Sequence, residues 1–129
     1  VRGRHVRVLA AWAVPGAETG AACCQRVRDE IGLDIEVITG EMEGRLAFIS
    51  VQRAFDLTGK NVVVADIGGG STEFVMASGN AIEAIYSTPV GTVRLTEVYG
   101  TDPQATPGKF EALIEGIESQ LKKATKKPH

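Results

Sequence analysis

The stretch Val62-Val63-Val64-Ala65-Asp66-Ile67-Gly68-Gly69-Gly70-Ser71-Thr72-Glu73-Phe74-Val75-Met76-Ala77 decides the fold. An apolar run leads to an aspartate, three glycines follow, and a second run then alternates. In that second run Thr72, Phe74 and Met76 face one way, while Glu73, Val75 and Ala77 face the other. The loop lacks the lysine of a P-loop, its glycines do not fit a dinucleotide fingerprint, and a strand follows it rather than a helix. The sequence therefore predicts a tight β-hairpin whose tip is almost all backbone.

Such a tip has a chemical consequence. Without Cβ atoms at Gly68, Gly69 and Gly70, successive N–H groups can converge on one oxyanion. Ser71 and Thr72 add hydroxyl donors at its edge. Asp66 and Glu73 flank the loop, and both would repel a bound phosphate unless a hard cation lay between them. Mg²⁺, or another divalent cation, held partly by carboxylates and partly by phosphate, is the expected cofactor. A glycine run alone would read as a plain turn; both acids and both hydroxyls beside it favour phosphate.

Upstream, Val6 to Val14 reads as a buried strand ended by Pro15 and Gly16. Thr19 is placed to cap a helix carrying Cys23, Val27 and Ile31, stopped by Gly32. Ile35 to Ile38 is a short strand. A helix then runs from Thr39 or Gly40 to about Phe55, with Gly44, Phe48, Val51 and Phe55 on one stripe. Met42, Leu46 and Ile49 widen its apolar face, which predicts burial over much of its circumference. Asp56 to Lys60 is a polar break. Downstream, Ser78-Gly79-Asn80 turns into a strand from Ala81 to Ser87. Pro89 and Gly91 precede a short helix ending near Gly100. Thr106 and Pro107 open a last helix with Phe110, Leu113, Ile114, Ile117 and Leu121 on one face.

Composition narrows the function. The 129 residues are 43% hydrophobic and 23% charged, as in a folded domain. A formal net charge of −2 argues against nucleic acid as a partner, so a polyanion would be held by backbone N–H groups and a metal. No run suggests a membrane span or a signal peptide. The adjacent Cys23 and Cys24 suit a reduced, cytoplasmic setting and read as small core fillers. His5, His129 and Trp12 carry no ligand or stacking pattern.

Three blocks, Val37 to Leu46, Val62 to Val75 and Ser87 to Glu97, resemble the exopolyphosphatase / guanosine pentaphosphate phosphatase family in order and approximate spacing. The first holds Glu41 and Glu43 in the opening turn of a helix, the second the glycine loop, and the third the proline–glycine segment. The resemblance implies an α/β, ribonuclease H-like fold of the superfold shared by actin, sugar kinases and heat-shock chaperones. It further implies parts of two lobes, residues 1–58 ending the first and 59–129 beginning the second. By the same resemblance Glu43 is the catalytic glutamate that orients and deprotonates water, in preference to Glu41. Asp66 and Glu73 are the metal-associated acids, and Gly68, Gly69, Gly70 and Ser71 the phosphate cradle, to which the residue reading adds the Thr72 hydroxyl. Arg45 is expected to pair with a nearby acid.

The implied activity is hydrolysis of a terminal phosphoanhydride, with inorganic polyphosphate or guanosine pentaphosphate as substrate. Two features depart from the family. A first Asp-x-Gly-Ser hairpin has no match, which points to a truncated chain that turns over poorly, if at all, by itself. A Thr-Ser-Ala-x-Arg segment is replaced by Ala11-Trp12-Ala13-Val14-Pro15. The alternatives are a non-catalytic phosphate- or nucleotide-binding module, a structural remnant, or, more weakly, a kinase of the same superfold. Oligomeric state is open, with a homodimer as one option.

Overall fold

A computed structural model describes residues 6–11, 18–100 and 107–125. The chain forms two compact units, Val1–Thr39 and Gly40–His129. The smaller unit pairs β1 (Val8–Ala11) in parallel with β2 (Ile35–Ile38), and α1 (Glu18–Ile31) connects them and packs on β2. Parallel neighbours need such a crossover, since a tight turn cannot join them. Helix α1 ends at Gly32, whose φ of 74° suits glycine and whose N–H donates to Arg28 O at 3.0 Å. Helix α1 begins at Glu18, one residue before the position expected to open it. Cys23 is exposed and Cys24 half-buried, so they are not the core fillers their residue type suggested. A single helix against a two-stranded sheet has too little partner surface to bury them.

The larger unit carries the hairpin. Strands β3 (Asn61–Ile67), β4 (Thr72–Ser78) and β5 (Ala81–Thr88) form an antiparallel sheet with β4 in the centre. Helix α2 (Gly40–Ala54) packs on this sheet. Pairing of Val62 with Ala77, Val64 with Val75 and Val75 with Ile85 puts these side chains on one face. Phe48 of α2 meets that face, and Phe48, Val75 and Ile85 are each 1% exposed. Burying a side chain of this size contributes about 1.5–3 kcal/mol.

Strict alternation would set Ile82 and Ile85 on opposite faces. The register instead steps from Met76–Ala84 to Ala77–Ile82, leaving Glu83 unpaired in a bulge. Both isoleucines thereby join the core beneath α2.

Helix α2 is buried along one stripe only. Gly44 and Phe48 are buried, whereas Met42, Leu46 and Ile49 are exposed, so the burial expected over much of its circumference is not observed. One sheet covers one side of a helix, and among the described residues of this unit no second layer covers the other. Beyond the sheet, α3 (Thr92–Tyr99) ends at Gly100 and contacts α4 (Pro107–Ala124), which also packs on β5. Gly116 of α4 admits Tyr99, since a Cβ there would lie 1.9 Å from Tyr99 Oη. Pro107 opens α4, as its fixed φ favours. Ala11 ends β1, whereas Trp12 to Ala17 and Thr106, with the rest of the Ala11 to Pro15 segment and the Thr106 cap, lie outside the described residues.

Candidate active site

The glycine loop is the tip of the β3–β4 hairpin. Ile67 pairs with Thr72, and Gly68 N–H donates to Ser71 O at 2.9 Å to close the turn. The N–H groups of Thr92 and Arg94, at the start of α3, donate to Gly68 O and Gly69 O, each at 3.0 Å. Among the described residues, the N–H groups of Gly69, Gly70 and Ser71 donate to no backbone carbonyl. Three successive donors are therefore available at the tip.

Strand register builds the acidic row. Asp66 lies directly opposite Glu73, and Glu73 directly opposite Ser87, so the three share the sheet face that α2 covers. Asp66 is exposed at the end of β3, while Glu73 is 1% exposed. Ser87 Oγ donates to Glu73 Oε1 at 2.8 Å. Burial lifts the Glu73 carboxyl above its ordinary range; hydrogen bonds from Ser87 and Ser71 oppose that, and the charge of Asp66 adds to it.

Helix α2 brings its first turn onto this row through two glycines four residues apart. A Cβ on Gly40 would lie 2.3 Å from Ser87 Oγ, and one on Gly44 would lie 3.0 Å from Ile85 Cγ2. A side chain at Gly40 would displace Ser87, and one at Gly44 would crowd Ile85 and Val75. The helix thereby separates its two early glutamates. Glu41 is held outward by Arg45, whose Nε and Nη2 lie 3.0 and 2.8 Å from Glu41 Oε1. Glu43 is half-buried, and its carboxyl is raised first by burial, then by the charges of Glu73 and Asp66. Arg45 thus pairs locally, as its position on the helix suggested.

Three acids feel one another here, yet among the described residues no set of three His, Cys, Asp or Glu side chains is arranged to hold a metal by itself. That donor set fits Mg²⁺, which is commonly bound by one or two carboxylates with substrate phosphate completing its shell. Thr72 is 3% exposed, and its hydroxyl donates to Val90 O at 2.5 Å, so it secures the loop's edge. Ser87, Gly40 and Gly91 emerge as site residues only in three dimensions. The strand pattern places Ser87 two residues from Ile85 on the same face, but naming its partner requires the β4–β5 register.

This hairpin, its covering helix and the acids between them belong to an α/β chain of the actin-like superfold. The chain belongs to the Ppx/GppA phosphatase family, whose model matches residues 2–128. It is 31% identical over 121 residues to a guanosine-5'-triphosphate,3'-diphosphate pyrophosphatase of Vibrio vulnificus, covering 94% of this chain and 24% of that protein. It is also 31% identical over 117 residues to exopolyphosphatase 1 of Mycobacterium bovis, covering 91% and 34%. Among solved structures, the Aquifex aeolicus PPX-GPPA enzyme superimposes with a TM-score of 0.70 at 35% identity, covering 95% of this chain and 40% of that one. An exopolyphosphatase from Cytophaga hutchinsonii gives 0.82 at 27% identity, covering 91% and 38%. The chain thus spans about a quarter to a third of these curated relatives.

Proposed function

We propose that this chain supplies the phosphate grip and the water-orienting acid of a bacterial, cytoplasmic phosphoanhydride hydrolase. Its substrate would be inorganic polyphosphate or guanosine pentaphosphate, which present the same terminal phosphoanhydride. The observation that carries the reading is geometric: half-buried Glu43 lies on the helix that covers the Asp66–Glu73 row, at a hairpin whose tip N–H groups donate to no backbone carbonyl among the described residues.

In this reading the N–H groups of Gly69, Gly70 and Ser71 hold non-attacked oxygens of the terminal phosphate. Gly68 closes the turn, and Thr72 fixes its edge through Val90. Exposed Asp66 would hold the metal, while buried Glu73 adds negative charge and hydrogen-bonds Ser71. Mg²⁺ bound there would neutralise charge on the phosphate oxygens. Glu43 orients water for in-line attack on the terminal phosphorus and takes its proton, a task suited to a carboxyl raised above its ordinary value. The bond from that phosphorus to the bridging oxygen breaks, and the shortened phosphate chain or nucleotide leaves with that oxygen. Positioning supplies most of the rate in phosphoryl transfer, so turnover depends on how completely the phosphate is enclosed. Residues 1–58 would close the first lobe of the family fold and residues 59–129 open the second.

Phosphate release from polyphosphate and guanosine pentaphosphate with Mg²⁺ tests the proposal. Slow release that is lost on Asp66→Ala is expected. Retained binding with no release would make the chain a phosphate-binding module, and no binding would contradict both readings.

A further inference from the structure

A helix N-terminus beside a phosphate loop is ordinarily read as a second anion site, because its first N–H groups lack partners. The start of α3 is committed otherwise. Thr92 N–H is given to Gly68 O and Arg94 N–H to Gly69 O. In a trans peptide the carbonyl and the following N–H point in opposite directions. Holding Gly68 O and Gly69 O towards α3 therefore turns the N–H groups of Gly69 and Gly70 away from it, side by side. The helix does not take the anion; it sets the direction of the groups that do.

We propose that the start of α3 is a positioning clamp for the phosphate loop, with Gly91 as its required residue. This rests on the phosphate reading above. Gly91 is buried, and a Cβ there would lie 2.4 Å from both Gly69 O and Gly70 C. These are backbone atoms that cannot rotate aside, so any side chain must push the Gly69–Gly70 peptide out of place. The φ of −143° and ψ of 151° at Gly91 are extended values open to any residue, so contact alone demands glycine here. Thr72 fastens the same strap from the other end through Val90 O. Gly91, Thr92 and Arg94 act through the loop and touch no substrate.

The test is titration of this protein with inorganic phosphate, following the amide resonances of Gly69, Gly70 and Ser71. Thr92→Pro is the main variant. It removes the N–H given to Gly68 O, yet proline is favoured at the first position of a helix and accepts an extended residue before it. Gly91→Ala is the second. Saturable shifts are expected in the wild type, with affinity weaker by about tenfold or more in each variant, as for lost hydrogen bonds to a charged group. Equal affinity in variants and wild type overturns the clamp while keeping the phosphate reading; no response in the wild type overturns both. Hydrogen exchange in the wild type decides independently of any variant's folding. Slow exchange at Thr92 and Arg94 with fast exchange at Gly69 and Gly70 is expected, and the reverse order contradicts the clamp.

Discussion

Ser87 donates its hydroxyl to Glu73 Oε1 at 2.8 Å from the facing position on β5, fixing a buried carboxylate within reach of Asp66 on one side and α2 on the other. That carboxylate is a cost to the fold. Its raised proton affinity means that the folded state binds the proton more tightly than the unfolded chain does. The stabilisation from protonation is complete below the ordinary glutamate value of 4.5 and is lost as pH rises through the folded value. Glu73→Gln keeps an acceptor for Ser87 and removes the charge. Its melting temperature should exceed that of the wild type at neutral pH, and the gap should close as pH falls towards 4.5. Thermal unfolding across that range is the measurement. A neutral-pH loss in the variant would show that the carboxylate is already balanced.

Gly40 presses on the same serine. Gly40→Ala places a Cβ 2.3 Å from Ser87 Oγ and should cost about 1–3 kcal/mol, as overpacking does. Because the clash is with Ser87, the cost should shrink in a Ser87→Gly background, and denaturant unfolding of the four proteins gives the coupling directly.

Phe48 joins α2 to the sheet. With Phe48 1% exposed against Val75 and Ile85, Phe48→Ala should cost roughly 3–5 kcal/mol. Chemical denaturation measures it. The same change at exposed Phe55, which is 65% accessible, should cost far less.

The Glu41–Arg45 pair is solvent-exposed, and Glu41→Gln should change stability by less than about 0.5 kcal/mol, less still in high salt. Denaturation at two ionic strengths checks it.

How much of this could be read from sequence varied with the range of the interaction. The hairpin was legible because an apolar run before Gly68–Ser71 and an alternating run after it left no other local structure. Pro107 and Gly32 marked helix ends for the same local reasons. Burial of α2 was not legible: Met42, Leu46 and Ile49 look like Phe48 in a helical pattern, and only the sheet's position decides which stripe is covered. The bulge at Glu83 is hidden because it breaks the period on which strand reading depends. At the site, Asp66 and Glu73 were visible as neighbours of the loop, whereas Ser87 and Gly91 needed the pairing of β4 with β5 and the path of α3. Glu41 and Glu43 sit in one helical turn, and their different surroundings exist only once α2 lies on the sheet.

That difference in surroundings separates the two glutamates chemically. Release of phosphate from polyphosphate with Mg²⁺ should fall by about a hundredfold or more in Glu43→Gln, as expected for losing a positioned base, while Glu41→Gln stays near the wild-type rate. Equal loss in both, or persistence of release in Glu43→Gln, would contradict the assignment of the water-orienting role to the acid that faces Glu73 and Asp66.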